Sequence, residues 1–216
     1  MARRVIRFSS IVMAGRVSYS RIMEAKAAVR IRGRQLRGEL TADARAALDS
    51  QILARCQSDI AWAKCRLAMV FLPIERLNEI DTWPLVLWLW EKRRRTRLYV
   101  PQIIGGRIQA VQITPRSTFS TSKWGIPEPA DGAVLLEREE LDLVIIPMLG
   151  FDSRGHRVGY GHGYFDKFLA SHRRARRIGI GYEALYAPDG ILEEKHDIAL
   201  DAVITEQRIH RFKSRL

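Results

Sequence analysis

The stretch LDLVIIPMLGFDSRGHRVGYGHGYFDKFL, residues 141–169, decides the fold. Its first seven residues, LDLVIIP, are apolar apart from Asp142 and are closed by Pro147, the pattern of a strand buried on both faces of a parallel sheet. Its end, YFDKFL, reads as a helix. Between the two lie Gly155, Gly159, Gly161 and Gly163, with Arg154 and Arg157 among them. Glycine lets backbone N–H groups approach a ligand without a Cβ in the way. The first N–H groups of a helix lack partners and attract anions. Strand, glycine loop and helix together therefore predict a phosphate site, and the two arginines add groups able to grip phosphate in a fork. The G-Y-G-H-G spacing matches neither a Walker A loop nor a dinucleotide-binding GxGxxG. A tight strand-to-helix crossover is the plainer alternative, but it leaves the arginines without a task.

Outward from this stretch, strands alternate with helices. Residues 22–40 read as a charged helix, and Thr41 signals the N-cap of a second helix running to about residue 61. LAMVFL, residues 67–72, is a short buried strand ended by Pro73. Asp81 or Thr82 caps a further helix, with Pro84 tolerated in its first turn. TRLYVP and RIQAVQI are strands joined through Gly105 and Gly106. STSKWGIPEPADG, residues 120–132, reads as a loop from its Gly, Pro and Ser content. RRIGIGY and LDAVIT supply two more buried strands. The alternation predicts an α/β sheet covered on both faces. Ligands bind such sheets beyond the carboxyl ends of the strands, where the glycine loop is expected. No repeat or long linker divides the chain, so residues 23–216 read as one domain.

Composition narrows the partners. The 216 residues carry a formal net charge of +12, which favours anionic ligands. Cys56 and Cys65 stand nine residues apart without metal-ligand spacing and read as reduced intracellular thiols. The apolar run WPLVLWLW is far too short to span a bilayer. Residues 1–22 hold Arg3, Arg4, Arg7, Arg16 and Arg21, four serines and no acidic residue. They resemble an organelle transit segment, but the reading taken is the plainer one, a disordered basic extension or a start codon upstream of the true one. The expected location is cytoplasmic, or mitochondrial or plastid if that segment is a transit peptide.

Carboxylates complete the candidate site. Asp166 falls in the first turn after the loop, where it suits the helix dipole. Beside a phosphate chain it is also a natural magnesium ligand, since Mg²⁺ takes one or two carboxylates plus phosphate oxygens. A second carboxylate must come from another loop, and Asp197 and Asp201 in EEKHDIALD are available. Glu79, in NEIDT between a strand and a helix, is either a loop acid or a group that binds a polar substrate head. His162, inside the glycine loop, reads as a phosphate contact. No nucleophilic triad is present in the pattern.

Together these segments resemble the 5-formyltetrahydrofolate cyclo-ligase family, also called methenyltetrahydrofolate synthetases. KAAVR (residues 26–30) looks like its K-x-x-x-R helix, NEIDT its E-[VI]-[DE]-T segment, and WGIPEP (residues 124–129) its G-I-x-E-P loop. FDSRGHRVGYGHGYFDKFL looks like the signature F-D-x-x-G-x-R-L-G-x-G-x-G-Y-Y-D-x-x-L, and HDIALDAVIT like the C-terminal segment. The likeness runs from about residue 26 to residue 205. Phe165 replaces the second tyrosine of Y-Y-D and Val158 replaces leucine. His162 fills the variable position, and FLPIERLNEIDT is about two residues longer before Glu79.

The resemblance implies a three-layer α/β/α sandwich like those of ribose-phosphate isomerases and CoA transferases. It implies ATP- and Mg²⁺-dependent closure of 5-formyltetrahydrofolate to 5,10-methenyltetrahydrofolate. On this basis Lys26, Ala27, Ala28, Val29 and Arg30 contact ATP. Arg157, Val158, Gly159, Tyr160, Gly161, His162, Gly163, Tyr164 and Phe165 cradle its phosphates, and the segment from Tyr160 to Tyr164 also nears the folate. Glu79 binds the pterin and Trp124 lines its pocket. Asp166 and Asp197 hold the metal, and Arg157 and Tyr164 act on the reacting groups. A monomer is expected.

Two other readings remain at this level. A paralogue with the same nucleotide site could take another formyl or carboxyl substrate, and the longer Glu79 loop keeps this open. A nucleic-acid-binding protein would use EKRRRTR and HRRARR, but those runs lack interleaved aromatics and read as a solvated face.

Overall fold

The computed structural model describes residues 24–60, 62–122, 125–130, 134–137 and 139–212. The basic segment 1–22 and Trp124 lie outside the described residues. The helices are α1 (Lys26–Glu39), α2 (Ala42–Asp59), α3 (Trp83–Lys92) and α4 (Tyr164–Ser171). The strands, in chain order, are β1 (Leu67–Val70), β2 (Arg97–Ile104), β3 (Arg107–Ile113), β4 (Phe119–Thr121), β5 (Pro127–Pro129) and β6 (Leu143–Pro147). They continue with β7 (Gly150–Asp152), β8 (Arg157–Val158), β9 (Arg176–Ile180), β10 (Tyr186–Ala187), β11 (Ala202–Ile204) and β12 (Ile209–Arg211).

Seven strands make the central sheet, in the order β12-β11-β9-β6-β1-β2-β3. The inner five run parallel, and β3 and β12 close the two edges antiparallel. β1, β6 and β11 are buried almost throughout, as continuous apolar runs between covering layers must be. Helices flank this mostly parallel sheet, matching the α/β expectation. The reversal from β2 into β3 passes through Gly105 and Gly106 at φ 58° and 75°, a left-handed pair that suits a hairpin turn.

The element ends follow local chemistry. Thr41 caps α2 by accepting from the Ala44 N–H at 3.2 Å. Asp81, and not Thr82, meets the start of α3, where its Oδ1 accepts from the Trp83 N–H at 3.0 Å. Thr82 is fully buried and donates to the Phe71 carbonyl. Residues 120–132 are less loop-like than their composition suggests, because Phe119–Thr121 and Pro127–Pro129 pair as a small antiparallel ladder.

The largest departure from the sequence reading lies between β6 and the glycines. The glycine loop does not follow the central strand directly. A hairpin of β7 and β8 intervenes, and β10 joins it parallel to β7. Helix α1 packs on this small sheet at unusually close range. A Cβ on Gly33 would sit 2.1 Å from the Leu149 carbonyl oxygen, and one on Gly150 would sit 2.2 Å from Val29 Cγ1. Both glycines are therefore contact surfaces that bring α1 against the start of the loop.

Candidate active site

The glycine loop, the N-terminal end of α1 and the segment before β11 converge on one cavity of about 1160 Å³. Single-ligand pockets usually fall at roughly 300–1,000 Å³, so this one lies just above that range. Lys26, Arg30, Arg157, the loop from Val158 to Phe165, Asp166 and Asp197 line it. Glu79 lines it as well, among Phe71, Leu72, Ile74, Leu77, Pro101, Ile103, Ile108 and Ile126. The cavity thus joins a cationic, glycine-rich region to an apolar region holding one buried carboxylate.

In the cationic region, Arg30 Nε donates to the Gly159 carbonyl at 3.0 Å. Its two Nη groups make no hydrogen bond among the described residues. Gly161 lies beside the Arg30 guanidinium at φ 110°, a backbone conformation that residues with side chains rarely adopt. Gly163, at φ 64°, is the N-cap of α4 and offers no side-chain cap, so the first N–H groups of that helix stay available. His162 stacks on Tyr164 with ring centroids 5.4 Å apart. Phe165 packs partly against the core while still lining the cavity.

The carboxylates are tied to cations. Asp166 Oδ1 accepts from Arg157 Nη2 at 2.9 Å and from the Ile198 N–H at 3.1 Å. Arg157 Nη1 donates to the Ile198 carbonyl at 2.6 Å. Arg157 thus clamps the segment after Asp197 onto the start of α4. Burial lowers its pKa, with the Asp166 charge opposing. Asp197 receives Lys26 Nζ on both oxygens, at 2.7 and 2.6 Å, and Glu194 lies 3.3 Å from the same ammonium.

No group of three or more His, Cys, Asp or Glu side chains able to cage a metal occurs among the described residues. Mg²⁺ does not need such a cage, since it commonly uses one or two carboxylates and completes its shell with phosphate oxygens and water. Asp166 Oδ2 accepts no hydrogen bond among the described residues, so a donor atom remains.

In the apolar region Glu79 is 2% exposed. Its Oε1 accepts from the Tyr160 hydroxyl and its Oε2 from the Ile74 N–H at 2.8 Å. Burial pushes its carboxyl above the usual range; the Arg37 charge, the Tyr160 hydroxyl and the Ile74 N–H offset part of this. Burial, followed by the Glu79 charge, likewise raises the Tyr160 phenol.

Several sequence expectations end elsewhere. Ala27, Ala28 and Val29 do not line the cavity, and Val29 is fully buried with Val158, Ala187 and Ile191. Arg154 does not join Arg157 in a phosphate fork: its guanidinium pairs with Asp152 and donates to the Ile191 carbonyl at 2.6 Å. Asp201 pairs with Arg177 instead of facing the cavity. Neither basic run, 91–97 nor 172–177, contributes a lining residue. Arg37 went unnoticed in the sequence because a basic residue in the last turn of a charged helix looks solvated. It is 2% exposed and donates to the Tyr160 hydroxyl at 2.9 Å.

Comparison with known proteins identifies the family. The chain is 28% identical over 182 residues to the 5-formyltetrahydrofolate cyclo-ligase of Escherichia coli K12, covering 82% of this chain and 97% of that one. It is 30% identical over 169 residues to the mitochondrial 5-formyltetrahydrofolate cyclo-ligase of Arabidopsis thaliana, covering 67% and 61%. The fold superposes on a 5,10-methenyltetrahydrofolate synthetase from Aquifex aeolicus with a TM-score of 0.75, at 23% identity, covering 88% of this chain and 94% of that one. The sequence model of the 5-formyltetrahydrofolate cyclo-ligase family matches residues 22–206. With that match spanning most of its length, the chain belongs to the 5-formyltetrahydrofolate cyclo-ligase family.

Proposed function

We propose that the protein converts 5-formyltetrahydrofolate and ATP to 5,10-methenyltetrahydrofolate, ADP and phosphate. The observation that carries this reading is one cavity in which a cationic glycine loop adjoins an apolar chamber around Glu79. A nucleotide's phosphates suit the first region and a flat, hydrogen-bonding ring suits the second.

A formamide carbon is a poor electrophile. Transfer of the γ-phosphoryl group to the formyl oxygen forms an O–P bond as the bond to ADP breaks. N10 of the same folate then attacks the formyl carbon. The C–O bond breaks with loss of phosphate, and the N10 proton is released. No protein nucleophile is needed, so the chain's work is positioning and charge stabilisation.

Lys26 and Arg30 bring positive charge to the phosphates, and the backbone from Gly159 to Gly163 packs beside them. Arg157 holds Asp166 and Ile198 in register, and Tyr164 stands at the start of α4 facing the reacting groups. Glu79 receives N–H donors of the pterin, with Trp124 assigned to the same pocket from the sequence. Asp166 and Asp197 would hold Mg²⁺, which would supply neutralisation of the charge on the transferred group.

The active form is read as a monomer. No helix among the described residues is long and apolar enough to cross a membrane. The free cysteines suit a reducing compartment, the cytoplasm or an organelle interior.

The test is absorbance at the methenyltetrahydrofolate band with purified protein, Mg·ATP and 5-formyltetrahydrofolate. An ATP-dependent rise supports the reading. Its absence alongside calorimetrically detectable ATP binding would point to a paralogue with another substrate. Ile74, Arg76 and Leu77, in the longer loop before Glu79, line the cavity and are where its selectivity would differ.

A further inference from the structure

We propose that Arg37 is a positioning residue that acts through Tyr160 to keep Glu79 an ionised hydrogen-bond acceptor facing the folate ring. The proposal deepens the function given above and rests on it.

The direction of the hydrogen-bond chain is forced. Arginine can only donate. Its Nη1 donates to the Tyr160 oxygen at 2.9 Å, so the phenol's own proton is left to point at Glu79 Oε1. The Ile74 N–H occupies Oε2 at 2.8 Å. Both oxygens of Glu79 therefore already accept, which favours the ionised carboxylate over the neutral acid. An ionised carboxylate offers about four lone-pair directions, so about two remain for a ligand that presents adjacent N–H donors.

Charge supports the same arrangement. Arg37 Nη1 lies 3.9 Å from Glu79 Oε1, and both side chains are nearly excluded from water. A lone carboxylate in that chamber would neutralise. Arg37, from α1, and Tyr160, from the glycine loop, are the titratable side chains that act on Glu79.

The backbone fixes this pairing a second time. Asn78, immediately before Glu79 and at φ 48°, donates its side-chain amide to the Arg37 carbonyl at 3.0 Å. Arg37 Nη2 also donates to the Met148 carbonyl at 2.6 Å, just beyond β6. The end of α1 is thereby anchored to the sheet and to the Glu79 loop at once. Lys26, at the other end of the same helix, belongs to the nucleotide region, so one rigid element sets both ends of the site.

The experiment uses the full chain in three variants: Arg37→Met, Arg37→Lys and Tyr160→Phe. In the ligand-free protein, ¹³C NMR of labelled glutamates follows the Glu79 titration, its signal assigned by loss in Glu79→Gln. Arg37→Met and Tyr160→Phe should each move the midpoint upward by about one pH unit. In turnover between about pH 6 and about pH 8, Arg37→Met should raise KM for the folate roughly tenfold and KM for ATP less than about twofold. The folate penalty should widen as pH falls, and Arg37→Lys should recover most of it.

An unmoved Glu79 midpoint in both Arg37→Met and Tyr160→Phe overturns the proposal. So does an equal, pH-independent rise in both KM values, which would mark Arg37 as a structural anchor only. If Arg37→Met fails to fold, the Tyr160→Phe titration decides alone, since that variant keeps the bond from Arg37 to Met148. If the wild-type protein does not turn over 5-formyltetrahydrofolate, the functional reading fails, while the titration still decides the role of Arg37.

Discussion

Replacing Gly33 by alanine should damage both stability and the site, although alanine is the better helix former. The added Cβ would lie 2.1 Å from the Leu149 carbonyl oxygen, about 1.3 Å short of ordinary contact at 3.4 Å. The obstacle is backbone between β6 and β7, so no rotamer relieves it and α1 must retreat. Overpacking of this kind costs about 1–3 kcal/mol, and a clash with backbone belongs at the upper end. The gain in helix propensity returns about 1 kcal/mol. The net loss of about 2 kcal/mol should lower Tm by roughly 4–8 °C in a chain of this size.

The retreat also carries Lys26, Arg30 and Arg37 away from Asp197, Gly159 and Tyr160. Displacements near 1 Å can reduce catalysis by about 10²-fold, so kcat/KM should fall roughly 10- to 100-fold. Gly38, on the same helix, has nothing within 4 Å of its notional Cβ. Gly38→Ala should therefore leave the kinetics alone and stabilise by up to about 1 kcal/mol. Differential scanning calorimetry and steady-state kinetics on the pair test the argument. If Gly33→Ala matches Gly38→Ala in both, the close approach does not constrain the helix.

Four shorter expectations accompany it. Asp166→Asn keeps an acceptor for the Ile198 N–H but removes the charge facing Arg157, and should lower kcat by about 100-fold; wild-type rates at limiting Mg²⁺ would exclude Asp166 from the metal. Glu79→Ala should raise KM for the folate well above its effect on ATP, and an equal effect on the two would make Glu79 structural. Asp152 is fully buried and accepts from the N–H groups of Arg154, His156 and Ile191. Although burial raises its pKa, these donors and His156 leave it below the ordinary value of 3.8. Its contribution is thus present above that value and lost as pH falls through the lower folded pKa. Asp152→Asn should cost about 3 kcal/mol at neutral pH, with the deficit shrinking in acid; urea melts showing a constant deficit would contradict this. Burial pushes the Cys56 and Cys65 thiols up to about 12, so a thiol reagent should modify neither until the protein unfolds, and rapid labelling of native protein would count against the packing.

Residues 141–169 determined much of this protein by themselves. A continuous apolar strand, a run of glycines and a helix start are local patterns, and local patterns depend on backbone preferences that neighbours in sequence express. The same holds for Thr41 capping α2 and for the Gly105-Gly106 turn. The glycine loop, Lys26, Arg30, Glu79, Asp166 and Asp197 were likewise legible as candidates, and the structure gathers them around one cavity.

What tertiary structure alone decided is which polar side chain meets which. The β7–β8 hairpin escaped notice because strands of three and two residues carry too little periodicity to register. Arg154 and Arg157 look equivalent in sequence, yet one is paired with Asp152 and the other with Asp166. Arg37 looks like any basic residue in a helix's last turn, and the Glu79 loop that buries it lies some forty residues away. Contacts across such separations leave no local signature. A buried charge is recognisable only when the partners that offset its desolvation are seen beside it, and folding alone brings those partners together.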